Sequence, residues 1–223
     1  MPALARRRNE PLGNVKATRQ DWLDLALAAL CAEGEQQVTI LNLSERLAVS
    51  RSSFYWYFKD RADLLDAILR EWERLNTASI LAQAEAPAET VGEAICNVFR
   101  CWTNPAIFSP RLDFAVREWS LRSKSVRAAL DRADTARTEA IRRMFLRHGY
   151  EGEDALVRAR VLYYMQIGYY ALDIREATER RLALTPTYVE IFAGVPAKQS
   201  DIDAFRAYAR QHASSPEIWE RAK

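Results

Sequence analysis

Residues Val38–Arg61 read VTILNLSERLAVSRSSFYWYFKDR, and this stretch decides the architecture of the chain. Within it, Ile40, Leu43 and Leu47 recur at i, i+3 and i+7, which predicts a short amphipathic helix. A tight break follows, and Ser50 is placed to cap a second helix, because its hydroxyl can accept a hydrogen bond from a free backbone amide. The stretch therefore predicts a helix-turn-helix.

The second helix of this motif has an exposed face that few surface helices share. Phe54 and Phe58 are four residues apart and predict its inner, apolar stripe. The opposite side then presents an arginine, serines and aromatic rings, which can bond phosphates and base edges in the major groove of DNA. An ordinary solvated helix is the alternative, which the preceding helix and turn disfavour. The candidate DNA-binding residues are Thr39, Ser50, Arg51, Ser52, Ser53, Tyr55, Trp56, Tyr57 and Lys59.

These residues divide by their expected partners on DNA. The first two residues of the second helix, Arg51 and Ser52, lie where groove-entering helices contact bases. Tyr55 is placed for a base or a phosphate. Phosphate contacts are expected from Thr39, Tyr57 and Lys59, and free amides at the helix start beside Thr39 can assist.

The run from Val38 to Leu65 also resembles the DNA-binding segment of the TetR family of transcriptional regulators, and the resemblance extends over roughly Arg19 to Leu69. The family usually has His at the position of Tyr57 and often Gly at the position of Ala48. The matching residues are Thr39, Leu43, Leu47-Ala48-Val49-Ser50, Phe54-Tyr55-Trp56-Tyr57-Phe58, Lys59 and Leu64-Leu65.

The resemblance implies a function for the whole chain. It implies a ligand-responsive transcriptional regulator that binds a palindromic operator on double-stranded DNA as a homodimer. A repressor is expected, released from DNA by a small and largely apolar effector; an activator is the alternative. A chain of this kind is not an enzyme and needs no cofactor.

Positive charge is local. The chain has a formal net charge of only +2, whereas residues 1–17 are a basic, polar arm that we expect to be flexible. The arm is either a solvated tail or an extension that reaches DNA beside the main site. A local charge suits a protein that recognises a specific site better than a general polyanion binder.

Composition sets further bounds. A 49% hydrophobic chain of 223 residues has ample material for a core, and its few glycines favour helix. No apolar run approaches the length of a membrane span, and the N-terminus lacks an apolar signal core, so we expect a cytoplasmic protein without a membrane partner. Three cysteines without CxxC spacing and two distant histidines suggest neither a metal site nor a disulfide framework.

The rest of the chain reads as helix, which predicts an all-α fold. A three-helix helix-turn-helix head is expected over residues 18–66 and a larger helical body over residues 67–223. A helix from Asp60 to about Ala82 would connect them. Two prolines and a glycine in Thr185–Lys198 predict a loop there.

The body has no motif of its own. By the family resemblance, it would hold an apolar effector pocket and the homodimer interface, for which Leu156–Tyr170 and residues 201–213 are the candidates. An enzymatic body is disfavoured, because no glycine-rich phosphate loop or nucleophile elbow appears. A body that binds a protein partner stays an alternative. The candidate pocket residues are Trp102, Phe108, Phe114, Trp119, Tyr163 and Gln166.

Overall fold

The computed structural model describes residues 17–212, and this part of the chain contains helices and connecting segments but no β-strand. The predicted all-α class is confirmed. The predicted arm lies outside the described residues, except for Ala17. Within the same range, no helix combines the length and apolar character needed to cross a membrane. The described α-helices are α1 (Arg19–Glu33), α2 (Ile40–Arg46), α3 (Arg61–Trp72), α4 (Ala78–Glu85), α5 (Val91–Thr103), α6 (Pro110–Ser120), α7 (Lys124–Arg147), α8 (Gly152–Ala171), α9 (Thr178–Ala193) and α10 (Gln199–His212).

Six of these helices begin directly after a side chain that caps a free amide. Each capping oxygen accepts a hydrogen bond from the backbone N–H three residues later, which satisfies a donor that the helix itself leaves without a partner. Replacing such a cap with Ala costs about 1 kcal/mol. The capping residues are Thr18, Thr39, Asp60, Thr90, Ser109 and Ser123.

The described residues pack around two apolar cores. The first lies in the body, where Phe145 of α7 and Leu162 of α8 are fully buried. The second joins the head to the body, because Trp22 of α1 shares it with Trp119 of α6 and Leu130 of α7. Helix α3 also runs through residue 66, the predicted end of the head. That boundary stays a prediction, and the head does not have a core of its own.

A π-helical turn, Glu73–Thr77, joins α3 to α4. The sequence predicts one continuous helix here, and the chain does stay helical to Glu85, but with this local change of hydrogen bonding. Inside the turn, the buried Asn76 side chain donates to the carbonyl of Ser109 at 2.9 Å and accepts from its amide at 3.0 Å. The connection between head and body is therefore fastened to the start of α6 at the point where its helical geometry changes.

The prediction of a loop over Thr185–Lys198 is confirmed only for residues 194–198 and is wrong for the rest, because α9 continues through Pro186 to Ala193. A proline inside a helix lacks an N–H and leaves the carbonyl four residues earlier, here that of Leu182, without its usual partner. Arg206 on α10 donates its Nε to this carbonyl at 3.1 Å. A neighbouring helix thus replaces the hydrogen bond that the proline removes.

Candidate nucleic-acid interface and body cavity

The helix-turn-helix is held on α1 by aromatic packing. Phe54 and Phe58 are both buried, as predicted, and their rings stack at 5.4 Å. Trp22 of α1 meets the Phe54 ring edge-on at 5.3 Å. Since the inner face of the segment is fixed in this way, the side chains between the two phenylalanines are directed outward.

Residues Arg51–Trp56 form a 3₁₀ helix, whereas the sequence predicts an α-helix. The amide of Ser53 donates to the carbonyl of Ser50 at 3.0 Å, three residues back, and the Ser53 hydroxyl donates to the same carbonyl at 2.8 Å. Serine hydroxyls compete in this way with the regular helical pattern. Ser50 precedes the helix as predicted, but its hydroxyl is bonded to that of Ser52 at 2.8 Å and caps no backbone amide.

The outward side chains form an exposed aromatic and polar surface. Trp56 is 84% exposed and Tyr55 58% exposed, which is far from the buried state usual for such large rings. Arg51, Ser52, Tyr57 and Lys59 are exposed too, whereas Ser53 and Thr39 are half-buried. We call the surface formed by Arg51, Ser52, Tyr55, Trp56, Tyr57 and Lys59 the head surface.

Some of the basic residues around this surface form ion pairs within the head, whereas others do not. Arg46 pairs with Glu33 at 2.6 Å. Arg61 pairs with Glu35 and donates to the carbonyl of Val38 at 2.6 Å. Both are therefore engaged within the head. By contrast, Arg51 and Lys59 have no carboxylate within 4.0 Å among residues 17–212, so their charges are available to an anion.

Thr39 precedes α2 and caps it, accepting a hydrogen bond from the amide of Asn42 at 3.2 Å. Its hydroxyl proton is not used in that bond and can be donated to a phosphate oxygen. The predicted contact of Thr39 with DNA stays a prediction, as do those of the other eight candidates.

A cavity of about 60 Å³ lies in the body between α5, α8, α9 and α10. Of the six predicted pocket residues, Trp102 and Gln166 line it. Sequence reasoning missed the contributions of α9 and α10, since α9 was predicted to be partly a loop. The cavity is lined by Phe99, Trp102, Thr103, Met165, Gln166, Tyr169, Glu176, Arg181, Leu182, Tyr188 and Phe205.

The other four predicted pocket residues lie elsewhere. Phe108 is buried in the body core, and its ring stacks on Tyr170 at 6.4 Å. Phe114 meets the same tyrosine edge-on at 6.3 Å. Trp119 belongs to the core that head and body share. The remaining residue, Tyr163, is part of a charged cluster. The sequence shows that such a residue is apolar, but it does not show whether the side chain faces the cavity or another buried region of the fold.

This charged cluster, the buried ion-pair network, consists of Asp113, Arg117, Asp134, Arg137 and Tyr163. Arg137 and Asp113 are fully buried and lie 2.8 Å apart. Arg117 binds Asp134 through two parallel hydrogen bonds of 2.9 and 2.7 Å. The Tyr163 hydroxyl donates to Asp134 at 2.6 Å and accepts from Arg137 at 3.0 Å. Burial raises the pKa of the Tyr163 phenol, so it stays protonated and able to donate.

The network also reaches the head. Trp72, the last residue of α3, donates its ring N–H to Asp113 at 2.9 Å. Thr77, at the end of the π-helical turn, accepts from Arg137 at 2.8 Å. Tyr163 stands one helical turn before Gln166 on α8, so the same helix contributes to the network and to the cavity.

The fold and the head surface define the chain as a helix-turn-helix protein with a helical body. A model of bacterial regulatory proteins of the tetR family matches residues 23–68. Through this segment the chain is similar to the TetR family.

Two relatives resemble this chain in sequence, each over about a quarter of its length. Over 56 residues the chain is 36% identical to the HTH-type transcriptional regulator AcrR of Shigella flexneri, covering 25% of this chain and 25% of AcrR. Over 54 residues it is 33% identical to the uncharacterized HTH-type transcriptional regulator TtgW of Pseudomonas putida, covering 24% of this chain and 40% of TtgW. The match therefore spans well under half of either relative. Both are named as regulators and not as enzymes, in line with the expectation for this chain.

The likeness in fold extends further than the likeness in sequence. The crystal structure of AmtR from Mycobacterium smegmatis superposes with a TM-score of 0.61 over 93% of this chain and 100% of AmtR, at 16% identity. At this identity the comparison establishes the fold of the body and not what the body binds.

Proposed function

We propose that the protein is a transcriptional regulator that binds operator DNA through its head surface. The observation that carries this proposal is the outward display of Arg51, Tyr55 and Trp56 on a helix-turn-helix of the TetR family. Arginine can bond a guanine edge or a phosphate, and the aromatic rings can contact sugars and thymine methyl groups. Repression is the direction of control that the family resemblance favours.

A homodimer follows from the same proposal, because a palindromic operator needs two heads at a set spacing. Support comes from α8, where Val157, Val161 and Tyr164 occur at i, i+4 and i+7 and are all about half exposed. On α9, Ile191 is exposed too. An exposed apolar stripe of this kind is suited to a partner, and we propose a second copy of the chain. Residues 201–212 are a poorer candidate than predicted, since the apolar face of α10 packs on the body core.

Release from DNA by a ligand is the third part of the proposal. Helix α8 contributes Gln166 to the cavity and Tyr163 to the buried ion-pair network, which binds Trp72 at the end of α3. A ligand that prefers one arrangement of α8 can thereby favour one position of α3, and so one spacing of the heads.

The decisive experiment measures binding of labelled DNA. Sites are first selected from a random duplex library with the full-length chain, and affinity is then compared for wild type and the double variant Arg51→Ala/Tyr55→Ala. We expect the double variant to lose at least about tenfold in affinity. A matched control is Leu121→Ala/Arg122→Ala, which removes an exposed apolar residue and an exposed arginine on the turn after α6. If the double variant and the control bound the selected DNA with equal affinity, the head surface would not be the DNA-binding site.

The alternative, a body that binds another protein, is favoured by the same exposed stripe on α8. Light scattering on wild type and Val161→Glu separates the two functions. A dimer that Val161→Glu converts to monomers supports self-association, whereas a wild-type monomer with normal DNA affinity would favour a different protein on this face.

A further inference from the structure

We propose that the body cavity binds a small aromatic carboxylate, with its ring among the aromatic walls and its carboxylate facing Arg181 and Gln166. This inference rests on the proposed ligand response and adds the chemical class of the ligand. It is carried by the shape of the lining and by polar groups there that lack a partner.

The walls of the cavity are mostly aromatic. Phe99 packs against Trp102 at 5.6 Å between ring centroids and against Phe205 at 5.9 Å, and Tyr188 also lines the cavity. Met165 completes the lining and is the flexible, unbranched side chain among rigid rings. A flat apolar ring is the ligand part that such walls accommodate best, because oriented packing of aromatic rings is favourable beyond the burial of their area.

Gln166 provides the first polar handle. Its side chain is only 4% exposed, and its Nε2 has no hydrogen-bond partner among the described residues. An unpaired buried donor destabilises the folded state, and a hydrogen bond to a ligand acceptor would remove that cost. Tyr170 does not line the cavity, and burial raises the pKa of its phenol, which therefore keeps its proton.

Arg181 provides the charge. Its guanidinium lies over the Tyr169 ring at 4.8 Å and has no carboxylate within 4.0 Å in the described range. The acid nearest to it along the lining, Glu176, accepts a hydrogen bond from the Tyr169 hydroxyl at 2.9 Å instead. Two lining groups, Gln166 and the cationic Arg181, can therefore donate to a ligand, while the lining carboxylate of Glu176 is engaged by Tyr169 rather than by Arg181. An arginine without a carboxylate partner favours a ligand carboxylate over a neutral or cationic group.

The size of the cavity limits the ligand. A cavity of about 150 Å³ is known to hold one benzene ring, whereas this cavity measures about 60 Å³. A single-ring ligand therefore enters only when a side chain such as Met165 moves aside, and a fused double ring would need a larger rearrangement.

The test uses calorimetry on the full-length chain with three probes: benzoate, benzamide and 2-naphthoate. We expect benzoate to bind best and benzamide, which has the same shape without the charge, to bind at least about tenfold more weakly. Naphthoate should bind more weakly than benzoate because of its size. Benzoate that does not bind, or that binds no better than benzamide, would overturn the inference.

Substitutions at Arg181 and Gln166 test which side chains bind benzoate. Arg181→Met should bring benzoate affinity down to the level of benzamide, and Arg181→Lys should restore part of it. Arg180→Met is the matched control, because Arg180 is the exposed neighbour on α9 and does not line the cavity. Gln166→Leu should weaken both benzoate and benzamide. If Arg181→Met and Arg180→Met behave alike, the carboxylate site is not at Arg181 and the inference fails.

Release from DNA is measured separately, so that the two proposals can fail separately. Benzoate that binds through Arg181 but leaves DNA affinity unchanged would support the ligand class and contradict the ligand response. Release of DNA by a neutral aromatic probe but not by benzoate would support the response and overturn the carboxylate.

Discussion

Asp113 and Arg137 face each other across the contact between α6 and α7, with Oδ1 and Nη1 2.8 Å apart and neither side chain exposed to solvent. Two opposite charges in an apolar interior stabilise the fold only when both are present and hydrogen-bonded. Because Trp72 and Thr77 bind the same pair, the ion pair fixes the end of the head-bearing helix against the body.

Removing one charge of this pair should destabilise the protein strongly. Asp113→Ala leaves Arg137 buried without a counter-charge, and we expect a loss of about 3–5 kcal/mol in the free energy of unfolding, measured by urea denaturation. Asp131→Ala is the control, because Asp131 forms an exposed pair with Arg127 and should cost less than about 1 kcal/mol. Equal losses for the two variants would contradict the importance of burial.

The same carboxylate predicts a pH dependence. Burial by itself would raise the pKa of Asp113, but the charges of Arg137 and Arg117 and the bond from Trp72 lower it below its ordinary 3.8. A group with a lower pKa in the folded state contributes stability above its unfolded pKa, and that stability is lost as pH falls through the folded pKa. The stability difference between wild type and Asp113→Asn should therefore shrink below about pH 4. If the stability difference between wild type and Asp113→Asn stayed constant on acidification, the lowered pKa of Asp113 would be contradicted.

The turn of the helix-turn-helix contains a backbone strain that a glycine would relieve. Ala48 has a φ of 54°, a conformation that costs a residue with a Cβ roughly 1–2 kcal/mol. Glycine avoids this cost but loses about 0.5–1 kcal/mol in unfolded-state entropy. Ala48→Gly should therefore raise the free energy of unfolding by about 0.5 kcal/mol. The same change at the exposed helical Ala128 should lower it by about 1 kcal/mol, and an opposite order in thermal melts would refute the assignment of strain.

Pro186 and Arg206 should be energetically coupled. Arg206→Met leaves the Leu182 carbonyl without a partner and should cost about 1 kcal/mol in wild type. In the background of Pro186→Ala, the restored amide can serve that carbonyl, and the cost of Arg206→Met should be smaller. A double-mutant cycle measures the difference. Additive effects would show that Arg206 does not replace the missing bond.

The two cations of the head surface should contribute separately to the salt dependence of DNA binding. When a protein gives up one bond to a phosphate, the slope of log K against log salt falls in magnitude by about 0.9. We expect Lys59→Ala to change the slope by this amount and to weaken binding to all DNA sequences alike. Arg51→Ala should also weaken discrimination between sites. The exposed Lys124, at the start of α7 in the body, is the control, and its replacement should leave the slope unchanged.

Local signals were the predictable part of this fold. The starts of α1, α5, α6 and α7 follow from Thr18, Thr90, Ser109 and Ser123, because a cap acts within three residues of itself. The inward direction of Phe54 and Phe58 follows from their spacing in the same way. These features need no information about the rest of the molecule.

Features that depend on partners far along the chain were missed. Helix α9 persists through Pro186 because Arg206 comes from another helix, and no local rule contains that contact. The cavity was predicted only in part, at Trp102 and Gln166, since its other walls come from α9 and α10. Tyr163 and Trp119 are residue types that often line pockets. In this fold, Tyr163 belongs to the buried ion-pair network and Trp119 to the core shared by head and body.

The core shared between head and body sets the smallest piece of this protein that can be transplanted. A fragment ending at residue 66 would lack Trp72 and would uncover the faces of Trp22 and Leu64 that α6 and α7 now contribute to enclosing. A chimera that gives this head a foreign body must therefore carry α6 and the first half of α7, or supply surfaces that imitate them. For this chain, the segment that can be moved to another protein is therefore longer than the segment that contacts DNA.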